Sequence, residues 1–585
     1  DGKLGEAIYI PSHRSAIITS GTYIGSAYGL YVASPDTNRT VTIGTKDNVF
    51  NNGYDDELLL TIRGEVYGAY GGHIYFYDGQ LQGGKSAYYD RNIKGIEDNA
   101  TINQVTKTID GSDYDTKYVT REHNIAKIGN GACGDAGTQC FGSLQKAIDA
   151  AQNNDTIILL EDNYVFEPIS IESNKDLTIE LDDHTIVTGN QITNSGKLKI
   201  QNSSSTKPII GYHEANCFIT NNQGSSFTLQ NVEINASCAI DSKNNTTTSI
   251  ENSTVSFYDN GNLTSIKSTG DLTISDSNIS SAYTVISHST GELKIQNNST
   301  LTSTGVDNNS YPVVETNNSI TTISNSQLIH NNIIDGTGSN IPYSYIQKGT
   351  NSQATISDST LSGVFRIEAG TVNANDSLIS HLGKERQGVV ILQDATATFS
   401  NTTIKLEPYY YIYGSTINGS FNNDGTVSLT NQSKLIINNE TKGRFIALVN
   451  KGNFNLDNSE FSYAYNSDAT GYYSTPVYGI YSRAGNINIT NNSTVNFDFS
   501  NLSPSSNSTT AYGLYVEGGT VNVLDSNLDF TTTTGKTLYG AYIKNASNDV
   551  TADVNIDRGH IYVTGANTSY GVYIDGSKSS FTMGV

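Results

Sequence analysis

At 585 residues the chain exceeds one ordinary domain, so it holds either several domains or one extended array. Only 16% of residues are charged, Trp is absent and Tyr stands at 37 among abundant Gly, Asn, Ser and Thr, a mix that suits turns, strands and polar ladders and excludes long helices. The formal net charge of -23 excludes a nucleic-acid surface, because no basic stripe offsets repulsion from phosphates, and no apolar run is long enough for a membrane-spanning helix.

In chain order, residues 1–95 read as the last part of a coil of short strands. Its marks are AYGLYV at Ala27, VTIG at Val41, YGAY at Tyr67 and IYFYDG at Ile74. Residues 96–142 lose that periodicity and read as a linker of short strands and turns. The acidic residues Asp110, Asp113 and Asp115 group hard oxygen ligands beside a Gly, a candidate calcium site set against the plainer reading of a solvated loop. No other cofactor is expected.

From Cys140 the signal changes. Phe141, Leu144, Ala147, Ile148 and Ala151 recur three or four apart behind a candidate N-cap, Ser143, which predicts one short amphipathic helix near 143–152. Short strands at Thr156, Ile169 and Leu177 follow, rich in β-branched residues and separated by polar turns. The segments SLQKAIDAAQNNDTIILL and LTIELDDHTI resemble the start of pectate-lyase-like right-handed parallel β-helices, particularly those of large bacterial cell-surface proteins. The resemblance implies the fold, with the helix covering its first rung, and an extracellular setting. It does not imply lyase chemistry, since one fold hosts many functions.

From Leu177 to the end one unit recurs: two apolar residues flanking one position, then Asn, Asp or Ser. LKIQN at Leu198, LTISD at Leu272, FNLDN at Phe454 and VNVLD at Val521 are examples. Taking the second apolar residue as anchor gives sixteen positions from Ile179 to Met583, a mean step of about 27 residues, which signifies a β-solenoid with one rung per step. The Asn, Asp or Ser after each anchor belongs at a corner, where such residues tolerate turn conformations. Residues 143–585 therefore read as a capping helix plus a β-helix of about 16 rungs.

Near the C-terminus a YG-x-Y signature returns at Tyr478, Tyr512, Tyr539 and Tyr570, spaced 34, 27 and 31 apart, one per rung. A tyrosine ladder against a glycine column is the structural reading, and a sugar-binding aromatic strip the functional one. Four cysteines pair naturally as Cys133 with Cys140 and Cys217 with Cys238, the second pair one coil apart and so on adjacent rungs. Two disulfides would suit an oxidising compartment. A zinc site is the alternative for the first pair, with only two Cys and no nearby His to support it.

For catalysis the nearest approach is Asp182 and Asp183 beside His184, but neighbours in a strand face opposite ways. The strand and turn motifs of polygalacturonase-like relatives, HExxH, G-x-S-x-G and a P-loop are all missing, so the expectation is no enzyme. The chain begins without Met, and FTMGV at the end aligns with VTIG near the start. It therefore reads as a structural or adhesin segment of a secreted bacterial surface protein, one unit of a tandem or end-to-end array. Its expected partners are itself or neighbouring repeats, with glycans or a host surface as further candidates. The alternative is a polysaccharide-active enzyme or carbohydrate-binding module of the β-helix class.

Overall fold

Alternation of apolar and polar residues over short, β-branched runs yields strands, and a computed structural model shows how they stack. It describes residues 5–584 except 12–13, 19–20, 34–39, 44–59, 72, 77–78, 90–92, 96–99, 110, 122–123, 134, 166–167, 189–190, 213–216, 237, 258–263, 306–310, 332–340, 384–386, 409–418, 440–444, 466–475, 503–509 and 534–535. The chain divides into two compact units, Asp1–Thr193 with Ile200–His213, and Asn194–Lys199 with Glu214–Val585. The protein is a parallel β-helix, almost all β with one short helix.

In the first unit, Glu6–Ile10, Tyr28–Val32, Tyr67–Tyr70 and Ser86–Tyr88 stack in parallel, and two further sets of strands complete the turns of this coil. Its core holds Leu30, Ile43, Ile62, Ile74, Phe76 and Leu81. Residues read from sequence as short strands form instead one long antiparallel hairpin, Ala100–Ile109 with Ser112–Arg121. Its second strand runs antiparallel to Gln80–Gly83 and so ends the parallel set of Thr22–Gly25, Thr61–Gly64 and Gln80–Gly83.

The helix forms as its periodicity predicts, Leu144–Ala150, with Ser143 Oγ accepting from the Lys146 N–H at 3.2 Å. Leu144, Ala147 and Ile148 are its buried face, turned toward Ala126–Ile128, Gln139–Phe141 and Ile169–Ile171.

The second unit winds three strands per turn. Asp271–Ser275, Asn278–Ser281 and Thr284–Ser289 pair in parallel with Glu292–Gln296, Thr300–Ser303 and Val314–Asn317 one turn later. Each anchor read from sequence here lies against the next: Leu229, Ile250, Ile274, Ile295, Ile323, Ile356, Ala374, Phe399, Leu429, Leu456, Ile489, Val523, Ile556 and Met583 are successive register partners. All but Met583 are buried.

The residues after the anchors turn the chain. Asn252, Asp276, Asn325, Asp358, Asp376, Asn401 and Asn458 adopt left-handed backbone, which Asn and Asp tolerate better than other non-glycine residues. The next residue then points inward, and it is a small hydroxyl. Ser253 N–H donates to Ser277 Oγ, Ser326 N–H to Ser359 Oγ, Ser359 N–H to Ser377 Oγ and Thr402 N–H to Ser433 Oγ, at 3.1 to 3.2 Å. This buried column satisfies a corner N–H that the strand ladders leave unpaired.

Candidate functional site: the tyrosine columns

Four strands carry the signature: Val477–Ser482, Thr510–Val516, Thr537–Ile543 and Thr568–Ile574. Tyr478, Tyr512, Tyr539 and Tyr570 are register partners, and their rings stack at 5.1, 5.1 and 4.9 Å between centroids, within 12° of parallel. A second column, Tyr481, Tyr515, Tyr542 and Tyr573, runs beside the first. Tyr515, Tyr542 and Tyr573 stack at 5.2 Å, and edge contacts such as Tyr512 with Tyr515 at 5.0 Å lock the columns together.

Strict strand alternation would send residues three apart to opposite faces. Gly513 and Leu514 are both buried, however, so Tyr512 and Tyr515 both emerge on the outside. Glycine is needed there for space: a Cβ on Gly513 would meet the Phe530 ring at 2.5 Å, and one on Gly479 the Phe497 ring at 2.2 Å. Sequence reasoning missed the second column because the i, i+3 spacing looks like opposite faces until the glycine breaks the alternation.

The same device stands in the first unit. Tyr28 stacks on Tyr67 at 6.2 Å, while Tyr9, Tyr31 and Tyr70 form a neighbouring column at 5.7 and 5.5 Å.

In the second unit burial keeps Tyr481, Tyr512, Tyr515, Tyr539 and Tyr542 protonated. Burial, followed by the neighbouring Tyr478 and Tyr539, pushes Tyr512 up to about 12. Burial and a carboxylate partner raise Tyr481, which donates to Glu517, and Tyr542, which donates to Asp575 Oδ2 at 2.7 Å. Asp575 is correspondingly lowered, first by the Tyr542 hydroxyl and then by Lys544. Because Tyr512, Tyr539 and Tyr542 stack face to face with a ring on either side, their faces are already occupied. What they offer outward is edges and hydroxyls, poorly suited to stacking a sugar ring.

The other sequence candidates take structural positions. Cys133 is bonded to Cys140 and Cys217 to Cys238, with Cα separations of 5.7 and 4.3 Å, the second pair joining adjacent rungs. Asp110 lies outside the described residues. Asp113 is exposed on the hairpin, whereas Asp115 accepts from Ala87 N–H at 2.9 Å, Gln104 Nε2 at 2.6 Å and Ser86 Oγ at 3.2 Å, tying the hairpin to the coil. Among the described residues no three His, Cys, Asp or Glu side chains group as metal ligands.

Asp182 and Asp183 both adopt left-handed backbone in one turn, and His184 Nδ1 reaches Asp162 at 3.7 Å. Hydrogen bonds from Ser204, Thr206 and Asn202 hold Asp183 down to about 2. Glu180 accepts from Gln201 Nε2 at 2.8 Å and from the Ser203 N–H at 2.7 Å. These carboxylates brace a turn of the first unit.

No protein-family model and no curated protein matches the chain. Among solved structures it is similar to the PL6 family alginate lyase AlyGC at 11% identity and a TM-score of 0.19, over 75% of this chain and 87% of that one. A mutant of the same lyase matches with the same identity and coverage and a TM-score of 0.16. Likeness at this level carries no argument about chemistry here. It nevertheless corrects the sequence-based exclusion of an enzyme: the structures found are lyases, so missing sequence motifs are no ground for that exclusion, and it is withdrawn.

Proposed function

We propose that the chain is a structural and interaction segment of a secreted bacterial surface protein, serving as stalk, fibre or adhesin. The observation that supports this best is how the outward tyrosines are used. In both units they form neighbouring columns that repeat every turn and bind turn to turn, so the aromatic surface, buried at Tyr478 and Tyr481 and half-buried at Tyr512 and Tyr515, reinforces the coil. Other outward positions behave alike: Asn455, Asn488, Asn522 and Asn555 form an amide ladder with Nδ2 to Oδ1 distances of 2.8, 2.9 and 3.0 Å. Two cystines suit an oxidising compartment and agree with an extracellular setting. The tyrosine edges and hydroxyls are then the surface available to glycans or a host cell.

Immunogold labelling of intact source cells, with antiserum raised against this chain, tests the reading. Label on the outer surface is the expected result, and label confined to the cell interior would overturn it.

A further inference from the structure

Packing alone does not account for the hydroxyls of the tyrosine columns in the second unit. Inside the same turns the coil packs Phe497 against Phe530 at 5.4 Å between centroids, and bare rings of that kind would bind the outer columns equally well. The columns carry phenols instead, and carboxylates stand against three of them. Tyr481 donates to Glu517, which also acts on Tyr515 by charge and by hydrogen bond. Tyr542 donates to Asp575 Oδ2 at 2.7 Å, and Lys544 Nζ lies 3.5 Å from the same carboxylate. Tyr515 and Tyr542 are register partners on adjacent turns, with ring centroids 5.2 Å apart and planes within 2° of parallel. Both are half-buried, so a reagent in solution reaches them.

We propose that Tyr515 and Tyr542 are a site of oxidative cross-linking, at which a one-electron oxidant of the haem-peroxidase class, with hydrogen peroxide as co-substrate, joins the two phenols as dityrosine. Oxidising a phenol makes its O–H strongly acidic, and a carboxylate already accepting that hydrogen bond takes the proton as the electron leaves. Asp575 does this for Tyr542 and Glu517 for Tyr515. The two phenoxyl radicals then couple, one new C–C bond joining the carbons ortho to each oxygen. Each joined carbon loses its hydrogen as a proton while its oxygen regains one, which restores both phenols. In balance, two protons and two electrons leave the chain and reduce one hydrogen peroxide to two waters. The strand register holds the two rings together, so coupling within a chain outruns coupling between chains. The product ties adjacent turns covalently on the outer face. This inference rests on the chemistry of the columns and stands whether or not the chain is a surface stalk.

Treating the full chain with a haem peroxidase and hydrogen peroxide, then digesting it for mass spectrometry, tests the proposal. A peptide linking Tyr515 to Tyr542, two hydrogens lighter than the sum of its parts, should appear at a yield per chain that does not change on dilution. Tyr542→Phe should abolish that peptide. Asp575→Asn keeps the shape of the side chain but removes the proton acceptor, and should slow the growth of dityrosine fluorescence by at least about tenfold. Circular dichroism of each variant checks that it is folded, and the wild-type peptide map stands without them. Oxidised wild type that lacks the Tyr515 to Tyr542 link, cross-links that form only between chains, or a folded Asp575→Asn variant that reacts at the wild-type rate would each overturn the proposal.

Discussion

At the scale of single residues, the corner hydroxyls carry an energetic load that their small size conceals. Ser359 is buried, accepts the Ser326 N–H at 3.1 Å and donates to the Ser357 carbonyl at 2.6 Å. Ser359→Ala leaves that N–H unsatisfied in the interior, and urea denaturation should show a loss of about 1–3 kcal/mol. His288 poses the opposite problem. It is 1% exposed, in register between Ser268 and Thr316, and burial holds its imidazole down to about 4 against the pull of the Gly291 backbone and Asp271. Its pKa is lower folded than unfolded, so the unfolded chain takes up the proton first and stability falls as pH drops from 6.5 toward 4. The contribution is about 3 kcal/mol at full protonation of the unfolded state. Urea midpoints measured from pH 7 to 4 should fall less steeply for His288→Gln than for wild type.

At the scale of the element, the YG-x-Y strand is a joint product of glycine and phenylalanine. The Phe530 ring fills the space a side chain on Gly513 would need, and the resulting backbone turns both tyrosines outward. Gly513→Ala should therefore cost about 1–3 kcal/mol through overpacking. Phe530→Leu, which shortens the opposing ring, should recover part of that loss in the double variant. A double-mutant cycle on thermal unfolding measures the coupling, and strict additivity would count against the clash. The helix needs no such partner. Ser143 and the spacing of Leu144, Ala147 and Ile148 are local features, and the structure reproduces them within two residues of the sequence reading.

At the scale of the whole molecule, the two disulfides differ in access, and that difference orders their chemistry. Cys133 is exposed, whereas Cys217 and Cys238 are buried between rungs. Under graded dithiothreitol without denaturant, mass spectrometry of alkylated peptides should find Cys133 and Cys140 labelled first and Cys217 with Cys238 only as the fold opens. Loss of the second bridge then removes about 3 kcal/mol of loop-closure stabilisation.

What the sequence alone determined is whatever depends on neighbours along the chain. The apolar anchors identify the inward positions by alternation, Asn and Asp mark the left-handed corners because their side chains tolerate that backbone, and the capping helix announces itself by period. Tertiary structure decided everything that depends on which rung lies above which. Rungs vary in length, so the serine that satisfies a given corner N–H stands anywhere from 18 to 34 residues away, as for Ser377 and Ser493. The docking of Ser112–Arg121 on Gln80–Gly83 and the turn braced by Glu180 and Asp183 escaped the sequence reading for the same reason. Each rests on contacts between residues far apart in sequence that only stacking brings together, and no local propensity encodes that distance.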